Sequence, residues 1–255
     1  MFTRNRALLG ALAGAALVFA APTQAAAQGV KNIVLVHGAF ADGSSWAKII
    51  PLLEAKGLHV TAVQNPLTSL ADDVAATKRA LALQDGPVLL VGHSWGGMVI
   101  SDAGNDPKVA GLVYVAAAAP DANQSLGELT KSAPTSGIQK IKADAGFLSM
   151  TSQGINEDFA QDLTPAERKV LVATQQPVAA AAFGDKMATV AWQTKPSWYI
   201  VASNDHMISP VLEQAMAKKI KATTLTLQSS HVPMLAQPQK VADFIAEAAK
   251  KAPGK

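Results

Sequence analysis

Short runs of aliphatic and β-branched residues recur along the chain, separated by stretches whose apolar residues fall at helical spacing. Residues 32–37 (NIVLVH), 58–64, 87–91 (PVLLV), 109–116 (VAGLVYVA), 197–202 (SWYIVA) and 223–228 are predicted as strands. Between them, helices are predicted over 46–56 (ended by Gly57), 70–84 (Asp72 and Asp73 in its first turn), 95–103, 210–220 and 238–250. Strands that are apolar almost throughout, rather than alternating, belong to a parallel sheet covered on both faces. The pattern therefore predicts an α/β fold. From about 120 to 195 the alternation lapses into polar turns and weak helices such as 165–174, with no convincing strand. An interruption of that length predicts an inserted helical lid over a single domain.

The first residues follow a different pattern. Arg4 and Arg6 precede an unbroken apolar run from 7 to 21, then Pro22 and the small residues Ala25-Ala26-Ala27. That layout predicts a secretory signal peptide over 1–27, cleaved before Gln28, and an exported protein, periplasmic or secreted. A run of 15 residues falls short of the roughly 18–20 that span a bilayer, so no stable membrane anchor is expected. With no cysteine in the chain, lipoprotein acylation, disulfides and thiol catalysis are excluded. The formal charge of +3 includes both leader arginines, and no cluster of Lys and Arg marks a nucleic-acid surface.

Candidate chemistry begins at Gly92-His93-Ser94-Trp95-Gly96, which matches G-x-S-x-G and falls between a predicted strand and a predicted helix. At such a nucleophile elbow the chain turns so tightly that the serine is strained and its neighbours must be small. The hydroxyl then projects beyond the sheet, beside a helix N-terminus that favours negative charge. A serine needs a base to take its proton. Of the five histidines, His231 lies in a loop between the last strand and the last helix, at the same edge of the sheet. His37 is expected to prop its loop, His93 to point away from Ser94, His59 to be structural or exposed, and His206 to make a surface or lid contact. The imidazole in turn needs a carboxylate to hold its tautomer. Asp205, after the strand 197–202, gives the order Ser, Asp, His; Asp121 occupies a similar edge position and competes with it. Oxyanion donors are expected from the backbone N–H of Trp95 and that of Ala39 or Phe40. Loss of one such donor costs about 3–4 kcal/mol in the transition state. Gly38, Phe40, Trp95 and Met234 are expected to line an apolar substrate pocket.

Together, HGAF after the first strand, ADGSSW, the GHSWGG elbow, SNDHMISP and SSHVPMLAQP resemble the α/β-hydrolase superfamily over most of residues 32–250. The chain looks most similar to the branch holding plant methylesterases and hydroxynitrile lyases. The resemblance implies an α/β-hydrolase fold and hydrolysis of small or medium apolar esters through an acyl-enzyme. It implies no metal or cofactor, and it places the nucleophile at Ser94, the acid at Asp205 and the base at His231. Lyases of this branch carry lysine after the catalytic histidine and threonine at the oxyanion-loop glycine. Val232 and Gly38 stand there instead, which favours an esterase. A non-catalytic binding role, or lyase or perhydrolase chemistry on the same site, are the alternatives that the residues leave open.

Overall fold

The computed structural model describes residues 1–2 and 29–254; apart from Met1 and Phe2, the expected leader lies outside the described residues. Six strands form one all-parallel sheet. They are β1 (Asn32–Val36), β2 (His59–Ala62), β3 (Val88–His93), β4 (Val109–Val115), β8 (Ser197–Ala202) and β9 (Thr223–Leu227), in the order β2-β1-β3-β4-β8-β9. Every residue of β1, β3, β4 and β8 is buried, as expected of strands whose apolar runs show no alternation. The outer strands β2 and β9 are partly exposed, and polar residues appear in them.

The chain leaves β1 toward β2 on one side, then crosses back to β3 and continues toward β4, β8 and β9 on the other. Because parallel crossovers are right-handed, this reversal puts α1 (Ile50–Glu54) and α2 (Leu70–Ala82) on opposite faces. Accordingly α2 packs on α3 (Gly96–Ala103), and α1 packs on α9 (Pro238–Lys251). A crevice opens at the carboxyl ends of β1 and β3, where the connections diverge; sheets of this kind bind ligands there.

Two expectations need correction. The helix predicted over 46–56 is two short pieces, a 3-10 turn at Gly43–Trp46 and α1 starting at Ile50. Pro51 explains the break: it lacks an N–H and its ring clashes with the carbonyl four residues back, so a helix starts there more easily than it runs through. The segment between β4 and β8 is not purely helical either. It holds α4 (Leu126–Lys131), α5 (Ser152–Gly154) with a π turn at Ile155–Phe159, and α6 (Pro165–Thr174). It also carries a three-stranded antiparallel sheet of β5 (Ile141–Asp144), β6 (Phe147–Met150) and β7 (Val178–Ala179). Ala145 and Gly146, with φ of 46° and 83°, make the tight turn joining β5 to β6. Two positive φ values in a two-residue hairpin loop match the twist of the flanking strands.

Candidate active site

Ser94 directly follows β3 with φ 52°, a left-handed conformation that costs a non-glycine residue energy and is kept only where the surroundings enforce it. The enforcement is steric. A side chain at Gly92 would come within 2.6 Å of the Gly96 carbonyl oxygen, and one at Gly96 within 2.5 Å of the Val36 carbonyl oxygen. Both flanks of the serine must therefore lack a Cβ. The carbonyl of Ser94 accepts from Gly97 N–H at 3.0 Å and Ala118 N–H at 3.1 Å, which fixes the elbow between α3 and the strand beside it.

The hydroxyl of Ser94 lies 2.8 Å from His231 Nε2, and His231 Nδ1 lies 2.5 Å from Asp205 Oδ2. A carboxylate only accepts, so Nδ1–H donates to Asp205, leaving Nε2 bare to accept the serine proton. The other carboxylate oxygen, Oδ1, accepts from Met207 N–H at 2.6 Å and Ile208 N–H at 3.0 Å. Asp205 and His231 are almost wholly buried. Asp121, the competing carboxylate, instead pairs with Lys219 at 3.1 Å with its side chain 56% exposed.

Two further histidines support these groups. Asn65 N–H donates to His37 Nε2 at 2.9 Å, so His37 Nδ1–H donates to the Gly38 carbonyl at 2.9 Å. Asn65 Nδ2 also binds the His37 carbonyl at 3.0 Å, locking the turn after β1. His93 turns away from Ser94 and donates Nε2–H to the carbonyl of His231 at 2.8 Å. Burial keeps both rings below the ordinary imidazole value, His93 well below it, with the nearby His231 a further cause for His93. A neutral His93 can hold the backbone of His231 without adding a second positive charge beside it. This support could not be read from motif spacing, because 138 residues separate the partners. Asp73 was visible in the sequence only as a first-turn acid. It is fully buried, accepts Trp95 Nε1–H at 2.7 Å and Leu67 N–H at 2.8 Å, and so fixes the indole next to Ser94. Burial raises its pKa, against the pull of those two donors.

Above Ser94 lies a small cavity of about 30 Å³. Ala39, Phe40, Trp95, Ile208 and His231 line it from the loops at the sheet edge, and Leu126, Phe159 and Phe183 from the inserted segment. Phe183 packs edge-on to Phe40 at 6.4 Å and tilted on Trp95 at 5.6 Å. Among the described residues, no acceptor takes the backbone N–H of Ala39, Phe40 or Trp95. Two expected pocket residues are absent from the lining. Met234 is fully buried in the core, because the helical turn α8 (Pro233–Ala236) carries it inward from the His231 loop. Gly38 lies under the serine, where an added Cβ would come within 2.7 Å of Ser94 Cβ. His206 is partly exposed and meets Asp158 at 3.4 Å on the inserted segment. Among the described residues, no cluster of three His, Asp or Glu side chains is placed to hold a metal, and no helix is long and apolar enough to cross a membrane.

An all-parallel sheet with a strained serine at the β1/β3 crevice, backed by a buried imidazole and carboxylate, defines a class. The chain belongs to the alpha/beta hydrolase family, whose model matches residues 33–244. It is 30% identical over 250 residues to a pyrethroid hydrolase of Sphingobium wenxiniae, covering 86% of this chain and 87% of that one. It is 25% identical over 253 residues to methylesterase 7 of Arabidopsis thaliana, covering 87% of this chain and 97% of that one. The crystal structure of polyneuridine aldehyde esterase superposes with a TM-score of 0.76 at 20% identity, covering 86% of this chain and 99% of that chain.

Proposed function

We propose that this protein is a serine carboxylesterase acting on small or medium apolar esters. One observation carries the reading: Ser94 Oγ, His231 and Asp205 stand in a single hydrogen-bonded line, at 2.8 and 2.5 Å, under an apolar cavity. Ser94 Oγ attacks the ester carbonyl as its proton passes to His231 Nε2, and Asp205 stabilises the resulting imidazolium. The tetrahedral oxyanion takes the N–H of Trp95 and that of Ala39 or Phe40, aided by the N-terminus of α3. The alcohol leaves with the proton from His231. Water, deprotonated by the same imidazole, then attacks the acyl-enzyme and releases the acid.

The names of the relatives, a pyrethroid hydrolase and a methylesterase, support this reading. Hydrolysis is favoured over lyase chemistry by Gly38, where the contact with Ser94 leaves no room for a threonine, and by Val232 in place of a lysine. The test is turnover of 4-nitrophenyl esters of graded acyl length by the purified protein. Hydrolysis with a burst of nitrophenol, absent in Ser94→Ala, is expected; tight ligand binding without turnover in the parent would replace the enzyme by a binding protein.

Export is proposed on the leader pattern of residues 1–27. N-terminal sequencing of protein recovered from the periplasm or medium of expressing cells should begin at Gln28; retention in the cytosol with the leader intact would reject it.

A further inference from the structure

Glu213, on α7 (Pro210–Lys219), is fully buried against the carboxyl end of β8. Its Oε2 accepts the Ala202 N–H at 3.0 Å, while Oε1 is buried with no hydrogen-bond partner. No Lys or Arg among the described residues pairs with it. Asp205, on the loop leaving β8, donates its N–H to the carbonyl of the same Ala202 at 3.2 Å, and its carboxylate and the Tyr199 phenol within β8 are the titratable groups that act on Glu213. Tyr199 stacks on Tyr114 of β4 and donates its hydroxyl to the Ala117 carbonyl, so its proton is committed away from Glu213. Lys219 of the same helix pairs with Asp121. Two carboxyl groups in one dry site cannot both ionise cheaply, and Asp205 holds three N–H donors, from His231, Met207 and Ile208, against one on Glu213.

We propose that Glu213 and Asp205 form a buried carboxyl pair holding one proton, carried on Glu213, and that Glu213 thereby acts as the positioning residue of the acid. The proton belongs on Oε1, the oxygen that no N–H reaches, where it gives the Asp205 carboxylate a further donor. Oε2 ties the pair to the last residue of β8, so the acid loop is anchored to the sheet as well as to its own backbone. Burial and the Asp205 charge both push Glu213 well above the ordinary carboxyl value. This inference rests on the esterase reading only for its kinetic arm.

The experiment compares Glu213→Gln and Glu213→Ala with the parent in kinetics and in thermal melts from about pH 5 to 8. Gln imitates the neutral acid, so Glu213→Gln should keep kcat within about threefold. Glu213→Ala should lower kcat by about tenfold or more with KM moved much less, the signature of a lost transition-state interaction. In the melts, the parent should lose ground to Glu213→Gln steadily as pH rises from about 5, because folding holds a proton that the unfolded chain has released. A melting gap that stays constant with pH, or a Glu213→Gln variant as slow as Glu213→Ala, would overturn the proposal. If the parent turns over no ester, the function fails while the melting gap still decides whether the pair exists.

Discussion

The carboxyl edge of the sheet and the inserted segment that covers it are built on different physics. On the sheet side, strands buried on both faces bring Ser94, Asp205 and His231 together, and each position is backed by close packing. A missing Cβ at Gly92 and Gly96 sets the serine, while backbone N–H groups set Asp205. The covering segment is thinner. No residue of α6 is buried, and Val170 on it is 59% exposed. Ile155, Phe159 and Leu163 seat other parts of the segment in the core, and polar links join it to the site. Gly137 N–H reaches the His206 carbonyl at 3.0 Å, Gln161 Nε2 the Asn204 carbonyl at 2.8 Å, and Asp162 Oδ2 accepts Ser230 N–H at 2.8 Å. The Gln161 bond is exposed, and a bond of that kind opens locally at lower cost than a packed sheet. On the proposed reading, substrate reaches the cavity above Ser94 past this segment. On that reading the chemistry sits on the sheet side and access on the covering side.

This division can be tested from its strongest consequence downward. Asp205→Asn should lower kcat by about 10⁴-fold through the wrong imidazole tautomer, while Asp121→Asn stays within about twofold; steady-state kinetics on one ester decides it. Met234→Ala should cost about 2–5 kcal/mol of stability as a core cavity, read by denaturant melts, with KM unchanged because the side chain does not line the cavity. Acid should attack the sheet edge. His37 and His93 are held below 6.5 by burial, so as pH falls the unfolded chain takes up protons that the folded one refuses. Stability should then drop below about pH 6.5, by up to about 1.4 kcal/mol per pH unit for each ring, seen as a falling melting temperature. On the covering side, Phe183→Ala should favour longer acyl chains over acetate by about tenfold in kcat/KM, with little change in kcat for acetate.

The same division explains what the sequence disclosed. Strands β1, β3, β4 and β8 are legible because full burial demands uninterrupted apolar runs, and the elbow is legible because its steric demand falls on adjacent residues. Asp205 and His231 follow from their places at strand ends. The strands β5 to β7 escaped because they are short and only partly buried, so IKAD and FLSM carry no uninterrupted apolar run. Met234 was misplaced because nearness in sequence to His231 does not say which way the turn α8 points a side chain. His93, Asp73 and Glu213 act through partners that are distant in sequence or through desolvation, neither of which leaves a local motif.

The most direct measurement is intact-mass and peptide mapping after exposure to a fluorophosphonate. A single phosphonyl adduct on Ser94, much slowed in His231→Ala, is the result predicted for a serine activated by that imidazole. An active preparation that carries no adduct at Ser94, or one labelled at another residue, would contradict it.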